Sequence, residues 1–449
     1  MTSLRRMTCS LGESRTQRRR WRRGRGPHST RTAGGGIAVA LVAGGTAFLL
    51  TGGLLTIGAR VMARFPLIPH SRSRPDLVVR AVHPDRVHLD ATEETARPGV
   101  LALRQQGGAV HLRLGDVLGR PTPTTVARPI LARDTPVPLD IGPAQANGFF
   151  WAGDPRSAHS LEYRDVDIHS PVGRMPAWLV PPTPSATADP DTWVIMIHGH
   201  SATRGEALRA LPLMHALGLT SLVITYRNDT GAPPSADSMH HLGAAEWEDA
   251  DAAVAYALQH GARRVVLMGW SMGGGISLRT SVLSEHRDRI TALVLDSPAV
   301  DWQDILRHHA RALRAPRLMQ EIAGWMLISP LGRRMVALHE PIALTEMRPD
   351  FYAQHLNTPA LLLHAAEDRT VPKEPSHALA RLRPDLIEHH EIADATHTRE
   401  WNVDPAAWEH RVGEYLIRML DLPVAITDLS LPRRDPGAPP GPHAVGTRL

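Results

Sequence analysis

The feature that most constrains this chain is a short run, Gly269-Trp270-Ser271-Met272-Gly273, set directly after the apolar stretch Val265 to Met268 and before an apparently helical segment. A serine flanked in this way sits on a sharp strand-to-helix turn, where side chains at the two glycine positions would clash. Gly274 and Gly275 then let the helix lie close to the strand. At the helix N-terminus Ser271 meets the positive end of the backbone dipole, which favours negative charge developing beside it. The five-residue pattern is short, so its weight comes from the elements on either side.

Those elements recur along the chain. Trp193 to Ile197, Ser221 to Tyr226, Val265 to Met268, Ile290 to Leu295, Ala360 to Leu363 and Leu386 to Ile392 read as short buried strands. Helical patterns lie between most of them. Trp247, Ala250, Val254 and Leu258 form one apolar stripe, with Gly261 placed as a C-terminal cap. Strands alternating with helices imply βαβ units, and so an α/β fold with a mostly parallel, doubly wound sheet over residues 157–422. The rhythm breaks between Asp301 and Glu346, where a small helical cap is expected.

A serine hydroxyl is a poor nucleophile until a base takes its proton and an acid orients that base. In a doubly wound sheet the partners should follow in the order acid, then histidine. Asp368 stands just past the strand ending in Leu363, with Glu367 as a rival acid beside it. His397 lies in the loop after the last strand, where a side chain returns to the carboxyl edge of the sheet. His389 and His390 fall within that strand and read as structural or exposed. An oxyanion is expected to meet backbone N–H groups of Met272 and of His200, in the turn His198-Gly199-His200-Ser201. A metal at His198 and His200 lacks a third ligand at sensible spacing, so neither metal nor cofactor is expected.

With these motifs in order, the chain resembles the α/β-hydrolase superfamily, nearest in character to prolyl-oligopeptidase-like and related serine esterases. The resemblance rests on His198-Gly199-His200, Gly269 to Gly273, Leu295-Asp296-Ser297-Pro298, His364 to Pro372 with Asp368, and His397-Thr398. It implies a Ser271–His397–Asp368 triad, an acyl-enzyme intermediate and no cofactor. Thr396 stands where such proteins usually carry glycine before the histidine, and no propeller-sized region precedes the domain.

The 449 residues carry a net charge of +5, and its distribution matters more than its size. Residues 1–36 hold ten Arg and a single acid, Glu13, leaving the remainder mildly acidic. That argues against a nucleic-acid partner. Residues 37–58 are free of charge, and as a helix of about 33 Å they would cross a bilayer. The arginines before them place the N-terminus in the cytoplasm and the catalytic domain outside, in a single-pass cell-membrane protein. A cleaved signal peptide ending near Val61-Met62-Ala63, or a pairing face of small residues, are the alternatives. The lone Cys9 excludes a disulfide scaffold.

Residues 70–156 read as a β-rich, membrane-proximal segment with a hairpin turn at Gln105-Gln106-Gly107-Gly108, and residues 423–449 as a disordered tail. In the cap, Arg307, Arg311 and Arg314 share a helical face that either meets anionic lipid or is simply solvated. Trp325 to Ile328 either line an acyl pocket or fill the cap core. The sequence thus points to a membrane-anchored serine hydrolase acting on a small-molecule or lipid ester. A peptidase or acyltransferase on the same fold and a catalytically silent surface-binding protein are the alternatives. Oligomeric state is not legible.

Overall fold

The computed structural model describes residues 52–69, 75–183, 189–429 and 431. The arginine-rich segment and residues 37–51 of the expected span lie outside the described residues. Residues 52–64 are helical and run into a single 3-10 turn at Phe65–Leu67. The helix therefore continues beyond Gly58, where the span was expected to end. Ala59, Ala63 and Leu67 are buried in the core of the large domain, and Arg64 Nη1 donates to Val336 O at 2.6 Å. Among the described residues no helix is long and apolar enough to cross a membrane.

The β-rich segment is a closed barrel. Its strands are β1 (Leu77–Val82), β2 (Arg86–Asp90), β3 (Leu101–Gln105), β4 (Val110–Leu114), β5 (Thr125–Arg133) and β6 (Gly142–Asn147), in the order β1-β2-β5-β4-β3-β6 and antiparallel throughout. The period-two pattern drives this: Leu101 and Leu103 of β3 pair with Leu114 and Leu112 of β4, and these leucines join Val79, Val87 and Leu89 in the interior. Between β3 and β4 the backbone turns through Gln106, Gly107 and Gly108, all at positive φ, a run that glycine makes inexpensive. Closure removes the exposed edges that a short open sheet would leave.

The large domain holds an eight-stranded sheet: β7 (Arg164–Ser170), β8 (Gly173–Val180), β9 (Asp189–Ile197), β10 (Leu219–Ile224), β11 (Arg264–Trp270), β12 (Ile290–Asp296), β13 (Ala360–Ala365) and β14 (Ile387–Ile392). The order is β14-β13-β12-β11-β9-β10-β8-β7. Only the pairs β7–β8 and β8–β10 are antiparallel. Side chains of each central strand alternate between two buried faces: Trp193, Ile195 and Ile197 of β9 enter one core, Val194 and Met196 the other. Such strands read as unbroken apolar runs, which is why they were legible. Helices Trp247–Gln259 and Met272–Leu283 cover one face; Leu211–Ala216 and Pro405–Leu420 cover the other.

Between β12 and β13 the cap consists of helices Trp302–Ala312, Arg317–Ile328 and Arg333–Val336. Met326 and Leu327 belong to the main core, whereas Trp325 and Ile328 are exposed, so the four residues do not share one pocket. Arg307, Arg311 and Arg314 are all exposed. Of the tail expected to be disordered, residues 430 and 432–449 lie outside the described residues; 423–429 differ from expectation. Residues 423–429 are packed rather than loose: Val424, Ile426 and Leu429 lie against the second core, with a 3-10 turn at Ile426–Asp428. The reason is Gly413 in the last helix, where a Cβ would come within 2.3 Å of Ile426, so its absence opens a slot for that side chain.

Candidate active site

Ser271 joins β11 to the helix Met272–Leu283 in a conformation few residues tolerate, φ 51° and ψ −116°. Such strain costs roughly 1–3 kcal/mol and persists only when the surroundings over-determine it. Here they do. Ser271 N donates to Asp296 O at 2.9 Å, and Ser271 O accepts from Gly275 N at 3.1 Å and from Ala299 N at 2.9 Å. The glycines are needed for space. A Cβ on Gly269 would lie 2.2 Å from Gly273 O, and one on Gly273 would lie 2.0 Å from Ile197 O at the end of β9.

The loops after β13 and β14 bring Asp368 and His397 to this serine. Ser271 Oγ lies 2.8 Å from His397 Nε2, and His397 Nδ1 lies 2.6 Å from Asp368 Oδ2. Because an ionised carboxylate only accepts, Nδ1–H donates to Asp368 and leaves Nε2 to accept the serine proton. The Asp368 side chain is buried, and its Oδ1 accepts from Thr370 N and Val371 N at 2.8 Å each. Burial pushes its carboxyl upward, but His397, His364 and the Val371 N–H outweigh that and hold it far below the usual carboxylate range. His364 Nε2 stands 3.5 Å from Asp368 Oδ2, a neighbour that the sequence did not suggest. Glu367, the rival acid, points elsewhere: its carboxylate accepts from Arg97 Nη2 at 2.7 Å.

The turn after β9 lies against the serine. A Cβ on Gly199 would stand 3.2 Å from Ser271 Cβ, so glycine permits the approach. Gly199 N donates to Glu206 Oε2 at 2.7 Å, and Gly199 O accepts from the Tyr226 hydroxyl at 2.7 Å. Glu206 in turn accepts from Arg209 Nη2 at 2.8 Å, and Arg209 Nη1 donates to Thr398 O at 2.7 Å. Buried Glu206 and Arg209 therefore tie this turn to the loop of His397. Met272 opens the helix, where the first N–H groups have no intrahelical acceptor. His200 directs its Nε2 to Pro66 O at 2.8 Å, and His198 directs its Nε2 to Asp229 Oδ2 at 2.7 Å, so the two rings serve separate hydrogen bonds. No group of three or more side chains suited to a metal occurs among the described residues.

The barrel also reaches the site. Its loop between β2 and β3 supplies Glu94, which accepts from Arg399 Nε at 2.6 Å, and Arg97, which donates to Asp394 O at 2.9 Å and to Glu367. Arg369 completes the set by donating to Glu93 at 2.6 Å. One loop thus grips the flanks of both Asp368 and His397. Residues about 270–305 positions apart make these contacts, and no local pattern announces them. His389 and His390 lie on β14, His390 paired with Glu388, away from this chain of contacts.

A sequence model of the family described as "Alpha/beta hydrolase family" matches residues 194–411, and one described as "Domain of unknown function (DUF8805)" matches residues 78–146, the barrel. No curated protein matches the chain. Among solved structures, an esterase of Pyrococcus furiosus is 20% identical, covering 60% of this chain and 94% of its own, with a TM-score of 0.45. Est1E of Butyrivibrio proteoclasticus with ferulic acid bound is 18% identical, covering 57% and 99%, at 0.45. A serine hydrolase without lid from Xanthomonas campestris is 16% identical, covering 59% and 97%, at 0.40. The family match runs from within β9 into the last helix, Pro405–Leu420, and takes in Ser271, Asp368 and His397; the large domain has the α/β-hydrolase fold.

Proposed function

We propose that this protein is a serine hydrolase that cleaves carboxylic esters through Ser271, His397 and Asp368. The observation that carries this reading is the unbroken contact chain, 2.8 Å from Ser271 Oγ to His397 Nε2 and 2.6 Å from His397 Nδ1 to Asp368. In the first half-reaction Ser271 Oγ attacks the ester carbonyl carbon as its proton passes to His397 Nε2. Asp368 keeps the imidazole in the required tautomer and stabilises its positive form. The N–H of Met272, with that of His200, receives the oxyanion. Collapse of the intermediate expels the alcohol, protonated by His397. Water, deprotonated by the same histidine, then releases the acid and restores Ser271.

Full-length protein in mild detergent should hydrolyse short p-nitrophenyl esters and react with a fluorophosphonate at Ser271. Labelling that persists in Ser271→Ala overturns the assignment of the nucleophile. Ester and peptide substrates run side by side separate an esterase from a peptidase.

The substrate side of this reading is an ester near a bilayer, with the chain anchored through residues 37–58 and the catalytic domain outside the cytoplasm. Its support is the uncharged run with ten arginines before it, and an apolar face on the described helix. Ile57, Val61 and Phe65 are each more than 60% exposed there, while Gly58 on the same helix abuts Met319 of the cap. Resistance of the protein to alkaline extraction from membranes tests the anchor. A reporter fused after residue 449 that works only in the cytoplasm overturns the orientation.

A further inference from the structure

A cavity of about 340 Å³ lies between the barrel and the large domain, beside the turn that abuts Ser271. Its size falls within the range of roughly 300–1,000 Å³ usual for small-molecule sites. Trp151 and Trp178 line it, with Thr203 and Thr225; Arg104 enters from β3 and Arg204 from the segment after β9.

A guanidinium removed from water normally acquires an anion; Arg104 has none among the described residues, and Arg204 has one distant, exposed carboxylate. Arg104 has no hydrogen-bond acceptor and no carboxylate partner among the described residues, and its guanidinium carbon lies 5.9 Å from the Phe149 ring centroid. Burial alone accounts for the lowering of its pKa. Arg204 lies over the Trp178 ring at 4.4 Å, and its Nη1 is buried without a hydrogen-bond acceptor. The carboxylate that does approach it, Asp165, is 3.8 Å away on a largely exposed side chain.

Asp229 also lines the cavity, but its charge is already matched. His198 Nε2 faces Asp229 Oδ2 at 2.7 Å and its Nδ1 faces Gly199 O at 2.9 Å. Neither acceptor can donate, so both ring nitrogens carry protons and His198 is a cation. Burial opposes that charge, but the Asp229 carboxylate outweighs it and raises the His198 pKa. The lining thus holds three cations to one carboxylate.

The geometry points to a binding site for a small amphiphilic anion, a carboxylate or phosphate head group on a flat apolar body, shared by the barrel and the large domain. The guanidinium forks match the oxygens of either head group, and the indoles receive the apolar body. The barrel then contributes Arg104 to a ligand site whose indoles, Trp151 and Trp178, belong to the core of the large domain, as well as closing over the loops of Asp368 and His397. This site rests on the cavity and its charges and is independent of the chemistry at Ser271.

Isothermal titration of the full-length protein with phenyl phosphate, benzoate, inorganic phosphate and neutral benzyl alcohol tests it. Saturable one-to-one binding of phenyl phosphate or benzoate is expected, with no binding of benzyl alcohol; the better of the two anions identifies the head group. Arg104→Gln and Arg204→Gln should each weaken that binding by about tenfold or more, the loss expected for a hydrogen bond to a charged group, with unchanged circular dichroism. Equal binding of benzyl alcohol, retained affinity in the double variant, or no saturable binding of any probe overturns the proposal. The comparison of charged and neutral probes on the unmodified protein holds whether or not the variants fold.

Discussion

Glu94 of the barrel accepts a hydrogen bond from Arg399 Nε at 2.6 Å, two residues beyond His397. Burial would raise the Glu94 carboxyl, yet Arg399 and Thr396 lower it below its ordinary value, so the contact is between charges. The His397 loop of the large domain is thereby fastened to a loop of the barrel. If that contact orients His397, Glu94→Ala lowers the rate of fluorophosphonate labelling. A misplacement of about 1 Å costs up to roughly 100-fold, so a loss of about 10- to 100-fold is expected, in kcat rather than KM. A labelling rate equal to that of the unmodified protein would make the contact purely structural.

The loop that carries Glu94 depends on Arg128. This buried side chain of β5 donates to four backbone carbonyls: Thr95 O and Gly99 O at 2.9 Å each, Gly115 O at 2.8 Å, and Arg97 O. Burial lowers its pKa to about 10, still above neutral pH, so it stays charged. Arg128→Met leaves these carbonyls without a donor. At about 1–3 kcal/mol for each group left buried and unpaired, a loss of at least about 3 kcal/mol is expected by chemical denaturation. Arg128→Lys recovers only part of it, since one ammonium cannot reproduce the fork.

The elbow permits a paired test. A Cβ at position 273 meets Ile197 O at 2.0 Å and His198 O at 2.6 Å, both backbone atoms that cannot swing away. Gly273→Ala should therefore destabilise by about 3 kcal/mol, the upper end for overpacking. Gly324, inside the cap helix Arg317–Ile328, has nothing within 4 Å of its notional Cβ. Gly324→Ala should stabilise by about 0.5–1 kcal/mol from helix propensity alone. Melting curves showing equal effects at the two positions would contradict the steric account.

Beneath the elbow lies a buried pair of acids. Burial and the neighbouring Asp296 push the Glu400 carboxyl well above its ordinary value of 4.5. Asp296 Oδ1 and Glu400 Oε2 are buried without a donor among the described residues, whereas Glu400 Oε1 accepts from Ser297 Oγ at 2.5 Å. A proton shared between the acids satisfies both unpaired oxygens. A raised folded-state pKa means the folded protein holds a proton that the unfolded chain releases earlier. The contribution is complete below pH 4.5 and lost as pH rises through the folded value. Glu400→Gln keeps a donor for Asp296 at every pH, so its stability relative to the unmodified protein should rise from mildly acid to alkaline buffer. A difference independent of pH would show that the pair does not share a proton.

What the sequence determined by itself is the part encoded in neighbouring residues. The buried strands announce themselves as apolar runs because both faces of a parallel sheet are covered. The tight turn at Ser271 demands glycine at 269 and 273 whatever the rest of the chain does. Strand ends fix where Asp368 and His397 emerge, so the residues that meet Ser271 were legible from order and spacing. The hairpin at Gln106 to Gly108 was legible for the same reason.

Tertiary structure alone decided the rest. Closure of residues 77–147 into a barrel depends on β1 pairing with β6 across more than sixty residues, and no single strand carries that information. The grip of Glu94 and Arg97 on the loops of His397 and Asp368, the buried link from Gly199 through Glu206 and Arg209 to Thr398, and the meeting of Arg104 and Arg204 at one cavity depend likewise on residues far apart in the chain. In sequence, a charged residue looks the same on a solvated face or in a buried contact. Only the folded chain shows which carboxylate it meets, or that it meets none.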